Sequence, residues 1–152
     1  FLLVGLMHEQ TGFKTIKDLG GIAKKAPIFT FIFAVMLFAN VGLPGTNGFV
    51  SELLIIFGIY EFNHALGYVS ALTVIIGASY MLWMFQRAIL QDRPEGSDEL
   101  TMRDLKVKEV LGLAPWVILV FLMGFYPEVF MNKFEPTVTH YLNDILQIGA
   151  TK

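Results

Sequence analysis

Residues 42–58 read GLPGTNGFVSELLIIFG and place a proline between glycines in the middle of a long apolar segment. That segment runs from Pro27 to Tyr60, and as one straight helix its 34 residues would be about 51 Å long. The hydrocarbon layer of a membrane is only about 30 Å thick, so a straight helix would overshoot it. The sequence therefore predicts a helix that is interrupted near Pro44.

The chemistry of this interruption is local. Pro44 has no amide hydrogen to donate to Asn40, and in a continuous helix its ring would clash with that carbonyl group. Gly45 supplies backbone freedom, while Thr46 and Asn47 have side chains of the type that caps a new helix. We therefore expect one helix to end before Pro44 and a second to start at Thr46 or Asn47.

The composition of the whole chain agrees with a membrane protein. Of 152 residues, 55% are hydrophobic and only 16% are charged, against about 25% charged in ordinary soluble domains. The net charge of −2 gives no general attraction for nucleic acid. The sequence contains no cysteine, which excludes disulfides, thiolate metal sites and iron–sulfur clusters in this chain.

Long uncharged runs locate the remaining membrane spans, because about 20 apolar residues are needed to cross the bilayer as a helix. Residues 62–86 and 110–127 are such runs of 25 and 18 residues. The predicted fold is an all-α, polytopic transmembrane helix bundle with one discontinuous helix. Its predicted segments are the end of a span at 1–7, the broken span at 27–60, spans at 66–89 and 107–127, and a tail at 128–152. The chain starts at Phe1 inside an apolar stretch and without an initiator methionine, so we expect it to be a fragment.

Smaller features refine these segments. In the span 66–89, Gly67 with Ala71 and Thr73 with Gly77 are pairs of small residues four apart, a spacing that permits close helix contact. Thr101 and Asp104 have the spacing of a capping box before the last span. An apolar face between residues 136 and 146 predicts an interfacial helix in the tail or a surface that packs on a partner subunit; it consists of Val138, Tyr141, Leu142, Ile145 and Leu146.

Two topologies fit the break, namely one discontinuous span or a re-entrant hairpin of two short helices. Residues 8–26 and 87–109 contain nine lysines and arginines together, whereas the tail after Pro127 has only Lys133 and Lys152. Cytoplasmic loops are enriched in basic residues, and a single discontinuous span would put both basic loops on one side. We therefore expect a multi-pass protein of the inner (cytoplasmic) membrane with loops 8–26 and 90–107 in the cytoplasm and the tail outside.

Glu52 is the candidate functional residue, because it is the one ionisable side chain other than histidine inside the broken span. An unpaired charge within a membrane is costly and usually functional. Apolar surroundings favour the neutral acid, whereas the positive end of the second half-helix favours the carboxylate. These opposing effects suit a proton relay, and Asn40, Ser51 and His64 are candidates for a polar path. The alternative is a glutamate that pairs with a neighbouring cation only to fix packing.

No metal site is predicted. None of the three histidines, His8, His64 and His140, has a second histidine three or four residues away, as a helical metal site of two histidines would need. The glycines of the break recur every third residue and do not form the GxGxxG pattern of dinucleotide sites.

The segment 42–58 resembles one family, the M-type antiporter-like membrane subunits of respiratory complex I (NADH:quinone oxidoreductase), which are the counterparts of mitochondrial subunit 4. Similar matches are FLLVGLMHEQT at 1–11, DLGGI at 18–22 and MGFYPE at 123–128. The other antiporter-like subunits of complex I, and the related subunits of cation/proton antiporters, tend to have a GIPP-type break and a lysine where this chain has Glu52. Ser51 and Leu53 depart mildly from the family pattern.

The resemblance implies a fourteen-helix subunit with two inverted repeats, of which this chain covers roughly the last third, from the end of helix 11. It implies that Glu52 belongs to a chain of buried charged residues and water that translocates protons. It further implies a non-redox subunit that contacts other membrane subunits and lipid but no nucleic acid, with NADH, flavin, iron–sulfur clusters and quinone bound by partner subunits. The alternatives are a subunit of a stand-alone cation/proton antiporter or a membrane-bound hydrogenase, or a purely structural scaffold.

Overall fold

Helices form all of the secondary structure in the described part of the chain. The computed structural model describes residues 1–12, 15–16, 19–92 and 102–150, with side chains as far as residue 143. The all-α prediction is confirmed. The helices are α1 (Leu2–Thr11), α2 (Ile22–Lys25), α3 (Pro27–Asn40), α4 (Asn47–Phe62), α5 (His64–Phe85, continued by a π-helical turn at Gln86–Leu90), α6 (Val107–Phe125) and α7 (Pro127–Ala150).

The discontinuous helix of the predicted fold is present as α3 and α4, which are separated by the non-helical residues 41–46. Gly42 and Gly45 have φ angles of 84° and 92°, a region that residues with a side chain rarely adopt. Thr46 is the residue before α4, but its side chain does not cap the helix. Its hydroxyl instead donates to the carbonyl oxygen of Leu43 at 2.6 Å, which closes the turn around Pro44.

Among the residues that the structure describes, two helices are long and apolar enough to cross a membrane, namely His64–Leu90 and Val107–Phe125. Asn63 caps the first, because its side-chain oxygen accepts from the amides of Ala65 and Leu66 at 2.9 and 3.3 Å. α3 is a shorter apolar helix of 14 residues.

The tail differs from the sequence prediction. α7 begins at Pro127 rather than near residue 136 and continues through Pro136. Pro127 occupies the first position of the helix, where proline is favourable because no amide donor is needed there. Val138, Tyr141 and Leu142 are exposed, whereas the side chains of Ile145 and Leu146 lie outside the described residues. That this helix lies at the membrane interface stays a prediction.

The segments 8–26 and 90–107 meet at one end of the bundle. The amide of Gly21 donates to the carbonyl of Gln91 at 2.8 Å, and Lys24 forms an exposed ion pair with Asp92 at 2.7 Å. Next to these contacts, a core of Ile22, Ala26, Phe29, Ala88 and Ile89, each at most 2% exposed, joins α2 and the start of α3 to the π-helical turn at Gln86–Leu90. A single discontinuous span predicts this arrangement, and the topology in the membrane stays a prediction. The basic residues Lys14, Lys17 and Arg93 lie outside the described residues.

Asp104 connects the loop before α6 to the start of α3. Its two carboxylate oxygens accept from the amides of Ile28 and Phe29, each at 3.0 Å, and one of them also accepts from Leu105 at 2.8 Å. Burial alone would raise the pKa of Asp104, but these three amide donors outweigh it and lower the pKa.

The predicted capping box of Thr101 and Asp104 is not what starts α6. Thr101 lies outside the described residues, and Asp104 caps α3 instead. The carboxylate of Glu109 caps α6, because it accepts from the amide of Lys106 at 2.7 Å and also pairs with Arg103 at 2.7 Å.

We expect Asp104→Asn to loosen the first turn of α3. In asparagine an NH2 group, which cannot accept a hydrogen bond, replaces one carboxylate oxygen, so one of the two backbone amides loses its acceptor. Losing a helix cap costs about 1 kcal/mol. Hydrogen exchange at Ile28 and Phe29 should therefore become roughly fivefold faster. Asp92→Asn removes only an exposed ion pair and should leave these two amides unchanged. Equal exchange in the two variants would contradict the assignment.

The same contact predicts a pH dependence. Because the pKa of Asp104 is lowered in the folded protein, the carboxylate stabilises the fold above about pH 4, the ordinary range of aspartate. This contribution is lost as the pH falls through the lowered pKa. The protection factors of Ile28 and Phe29, which are exchange rates corrected for the pH dependence of intrinsic exchange, should thus fall on acidification in the natural protein, whereas in Asp104→Asn this acid-induced fall should be absent.

Candidate functional site

The two halves of the broken helix pack backbone against backbone. A Cβ atom on Gly48, in the first turn of α4, would collide with the carbonyl oxygen of Ala39 at the end of α3. On the other side, a Cβ on Gly124 of α6 would collide with the backbone of Gly45 and Thr46. Thr46 is completely buried. The break is therefore a tightly packed joint between α3, α4 and α6.

Glu52 lies in the second turn of α4, beside this joint. One of its carboxylate oxygens is 2.5 Å from the point that a Cβ on Gly42 would occupy, so the carboxyl group rests against the backbone of the break. The side chain is partly exposed. Within the described part of the chain, no lysine or arginine forms an ion pair with it.

A cavity of about 290 Å³ lies between the break, α4 and α5. The polar residues of its lining are Asn40 at the end of α3, Glu52 on α4, and Ser70, Thr73 and Tyr80 on α5; the others are Val41, Ile55, Ile56, Val74, Gly77, Ala78 and Met81. Six residues of the His64–Leu90 helix precede the lining segment Ser70–Met81, and nine follow it. The cavity is thus near the middle of that helix.

The α5 side of the cavity carries two hydroxyl groups, and each already donates its hydrogen to a backbone carbonyl group of α5. Ser70 donates to the carbonyl of Gly67 at 2.8 Å, and Thr73 donates to that of Ser70 at 2.6 Å. Each hydroxyl oxygen keeps lone pairs that can accept a hydrogen bond. Gly67 contacts Tyr60 of α4 closely, as the small-residue pattern suggests, but Thr73 and Gly77 line the cavity instead of closing the helices together.

Asn40 and Glu52 line one cavity, whereas Ser51 and His64, the other two candidates for a polar path, do not line it. Ser51 is exposed, and its hydroxyl donates to the carbonyl of Gly48 at 2.9 Å. His64 packs edge-on against Tyr60, with the ring centroids 4.5 Å apart. Sequence reasoning missed Ser70, Thr73 and Tyr80, although their spacing of three and seven residues places them on one helical face.

The described residues contain no group of three or more histidine, aspartate and glutamate side chains placed to hold a metal ion. The chemistry that the site itself offers is that of one carboxyl group in a small polar cavity, which can bind and release a proton.

Comparisons with known proteins give consistent matches. A model of the family described as NADH:quinone oxidoreductase/Mrp antiporter, TM, matches residues 1–78. NADH-quinone oxidoreductase subunit M of Rickettsia bellii is 34% identical over 93% of the chain, and NADH-ubiquinone oxidoreductase chain 4 of Marchantia polymorpha is 36% identical over 92%. The chain spans 28% of the length of each.

A solved structure also matches. Respiratory complex I from Thermus thermophilus with bound NADH contains a chain that is 32% identical, with a TM-score of 0.76. The match covers 88% of the present chain and 28% of that chain.

Proposed function

Since the chain belongs to the NADH:quinone oxidoreductase/Mrp antiporter membrane family, we propose that it is part of an antiporter-like subunit of complex I that relays protons through Glu52. The observation that supports this most is the position of Glu52, on a broken helix and on a polar cavity near the middle of a membrane-length helix. Transporters place ion paths at such interrupted helices.

The proposed relay uses the two influences that meet at Glu52. The carboxylate lies near the amino end of α4, where the helix dipole stabilises a negative charge. Ile55, Ile56 and Val41 line the same cavity, so apolar side chains surround the carboxyl group together with the polar groups of the lining. In the proposed relay the carboxyl group takes up one proton and releases it again.

The subunit acts without a redox group of its own in this proposal. NADH, flavin, iron–sulfur clusters and quinone bind to partner subunits, and this chain contacts other membrane subunits and lipid. The protein lies in the inner (cytoplasmic) membrane, with segments 8–26 and 90–107 in the cytoplasm and the tail outside. The excess of basic residues in these two segments supports that orientation.

A stand-alone cation/proton antiporter or a membrane-bound hydrogenase is the competing assignment, because the family includes Mrp antiporters. Two observations favour complex I. The curated relatives that match more than 90% of the chain are named as NADH oxidoreductase subunits. In addition, the acidic residue at position 52 is the feature that the resemblance assigns to the complex I subunit.

Purification of the natural full-length protein decides between these assignments. With an affinity tag on this subunit and extraction in mild detergent, we expect flavin- and iron–sulfur-containing subunits to co-purify and the preparation to oxidise NADH. An untagged strain serves as the control. Recovery of the tagged protein with membrane subunits alone, free of flavin and iron–sulfur clusters, would contradict the proposal and favour a stand-alone antiporter.

A further inference from the structure

We propose that α5 provides the access route by which protons reach and leave Glu52, through a water-holding cavity that Gly77 keeps open and that the hydroxyl oxygens of Ser70 and Thr73 line. This inference rests on the proposed relay role of Glu52. It assigns a function to α5, a helix that carries no acidic or basic side chain between His64 and Arg87.

The first support is the register of the polar face. Ser70, Thr73, Gly77 and Tyr80 follow one another at intervals of three, four and three residues, so they share one face of the helix. All four line the cavity that Glu52 also lines. Val74, Ala78 and Met81 of α5 also line the cavity, whereas Leu72, Ile75 and Ile76 do not.

The second support is the size and chemistry of the cavity. A water molecule occupies about 30 Å³ in the liquid, so a volume of about 290 Å³ holds several. A buried water also needs two to four polar partners. Asn40, Glu52 and the two hydroxyl oxygens supply them, since both hydroxyl groups already donate within α5 and are left as acceptors.

The third support is Gly77. A Cβ placed on this residue would have only the ring of Tyr80 within 4 Å, at 4.0 Å, and both residues line the cavity. A larger side chain at position 77 would therefore extend into the cavity without colliding with the backbone. Glycine at this position leaves the space between α4 and α5 free for water.

The proton transfer itself is simple and balanced. A hydrated proton in the cavity gives up one O–H bond as the carboxylate of Glu52 gains one, and a neutral water remains. Release is the reverse step, in which the protonated carboxyl group returns its proton to water. Ser70 and Thr73 hold the water in place and are positioning residues.

Thiol accessibility tests whether the cavity holds water. This chain has no cysteine, so Thr73→Cys introduces one nearly isosteric thiol into it, and labelling of the unsubstituted full-length protein gives the background to subtract. In membranes that contain the natural full-length protein, a charged methanethiosulfonate reagent should label this thiol at least tenfold faster than Ile76→Cys, as read from the mass of the subunit. Ile76 is 59% exposed but does not line the cavity. Equal labelling, or no labelling at position 73, would overturn the inference.

Blocking the cavity tests its role. Gly77→Leu should lower proton translocation per NADH oxidised at least fivefold and slow the labelling of Thr73→Cys, whereas Gly112→Leu on α6, where nothing lies within 4 Å, should do neither. Thr73→Val provides a second variant with an unchanged shape and should also lower translocation. Normal translocation in Gly77→Leu and Thr73→Val would overturn the access route. If Glu52→Gln abolishes translocation in the same assay, the relay role survives that outcome; if Glu52→Gln translocates normally, the proposed function itself fails.

Discussion

Gly48→Ala should reduce the amount of correctly folded protein at least tenfold, although the same change stabilises most helices. The added methyl group would collide with the carbonyl oxygen of Ala39. That oxygen belongs to the backbone at the end of α3 and cannot rotate away as a flexible side chain could. The joint must therefore open, and overpacking of this kind costs about 1–3 kcal/mol or more.

The matched control is Gly58→Ala on the same helix. Gly58 has nothing within 4 Å of a new Cβ, and alanine is favoured over glycine inside a helix by about 1 kcal/mol. We expect Gly58→Ala to be neutral or stabilising. Detergent extracts of the two variants can be compared by size-exclusion chromatography with a fluorescent fusion. Natural levels of monodisperse protein for Gly48→Ala would show that the two half-helices do not pack as described.

The sequence alone predicts features whose cause is local. The break follows from the missing amide of Pro44 and the glycines around it, because these act on the backbone of their own segment. The position of the uncharged runs likewise predicts the long helices. The apolar face between residues 136 and 146 does not reveal where α7 begins. Pro127, nine positions before Pro136, occupies the first position of this helix.

Features that depend on two distant segments were not predictable in this way. Asp104 caps a helix that begins 77 residues before it in the sequence, and its spacing from Thr101 suggested a local cap instead. Ser70 and Thr73 belong to a cavity only because α4 packs on α5 with a particular register. Their small size, read alone, is equally typical of close helix packing.

The alternative of a structural role for Glu52 predicts different behaviour from the relay. Removing one partner of a buried ion pair destabilises a protein by about 3–5 kcal/mol, so Glu52→Gln in a packing pair would impair assembly. In the described part of the chain Glu52 has no such partner. Glutamine keeps the size and most of the hydrogen bonding of glutamate but cannot take up and release a proton.

The central claim is tested most directly by proton translocation in Glu52→Gln. Sealed membrane vesicles containing the assembled enzyme are given NADH, and proton movement is divided by the NADH oxidised. The account predicts normal assembly with translocation reduced at least tenfold, while Glu61→Gln, which removes an exposed carboxylate near the end of the same helix, remains close to the natural value. Unchanged translocation per NADH in Glu52→Gln would contradict the relay.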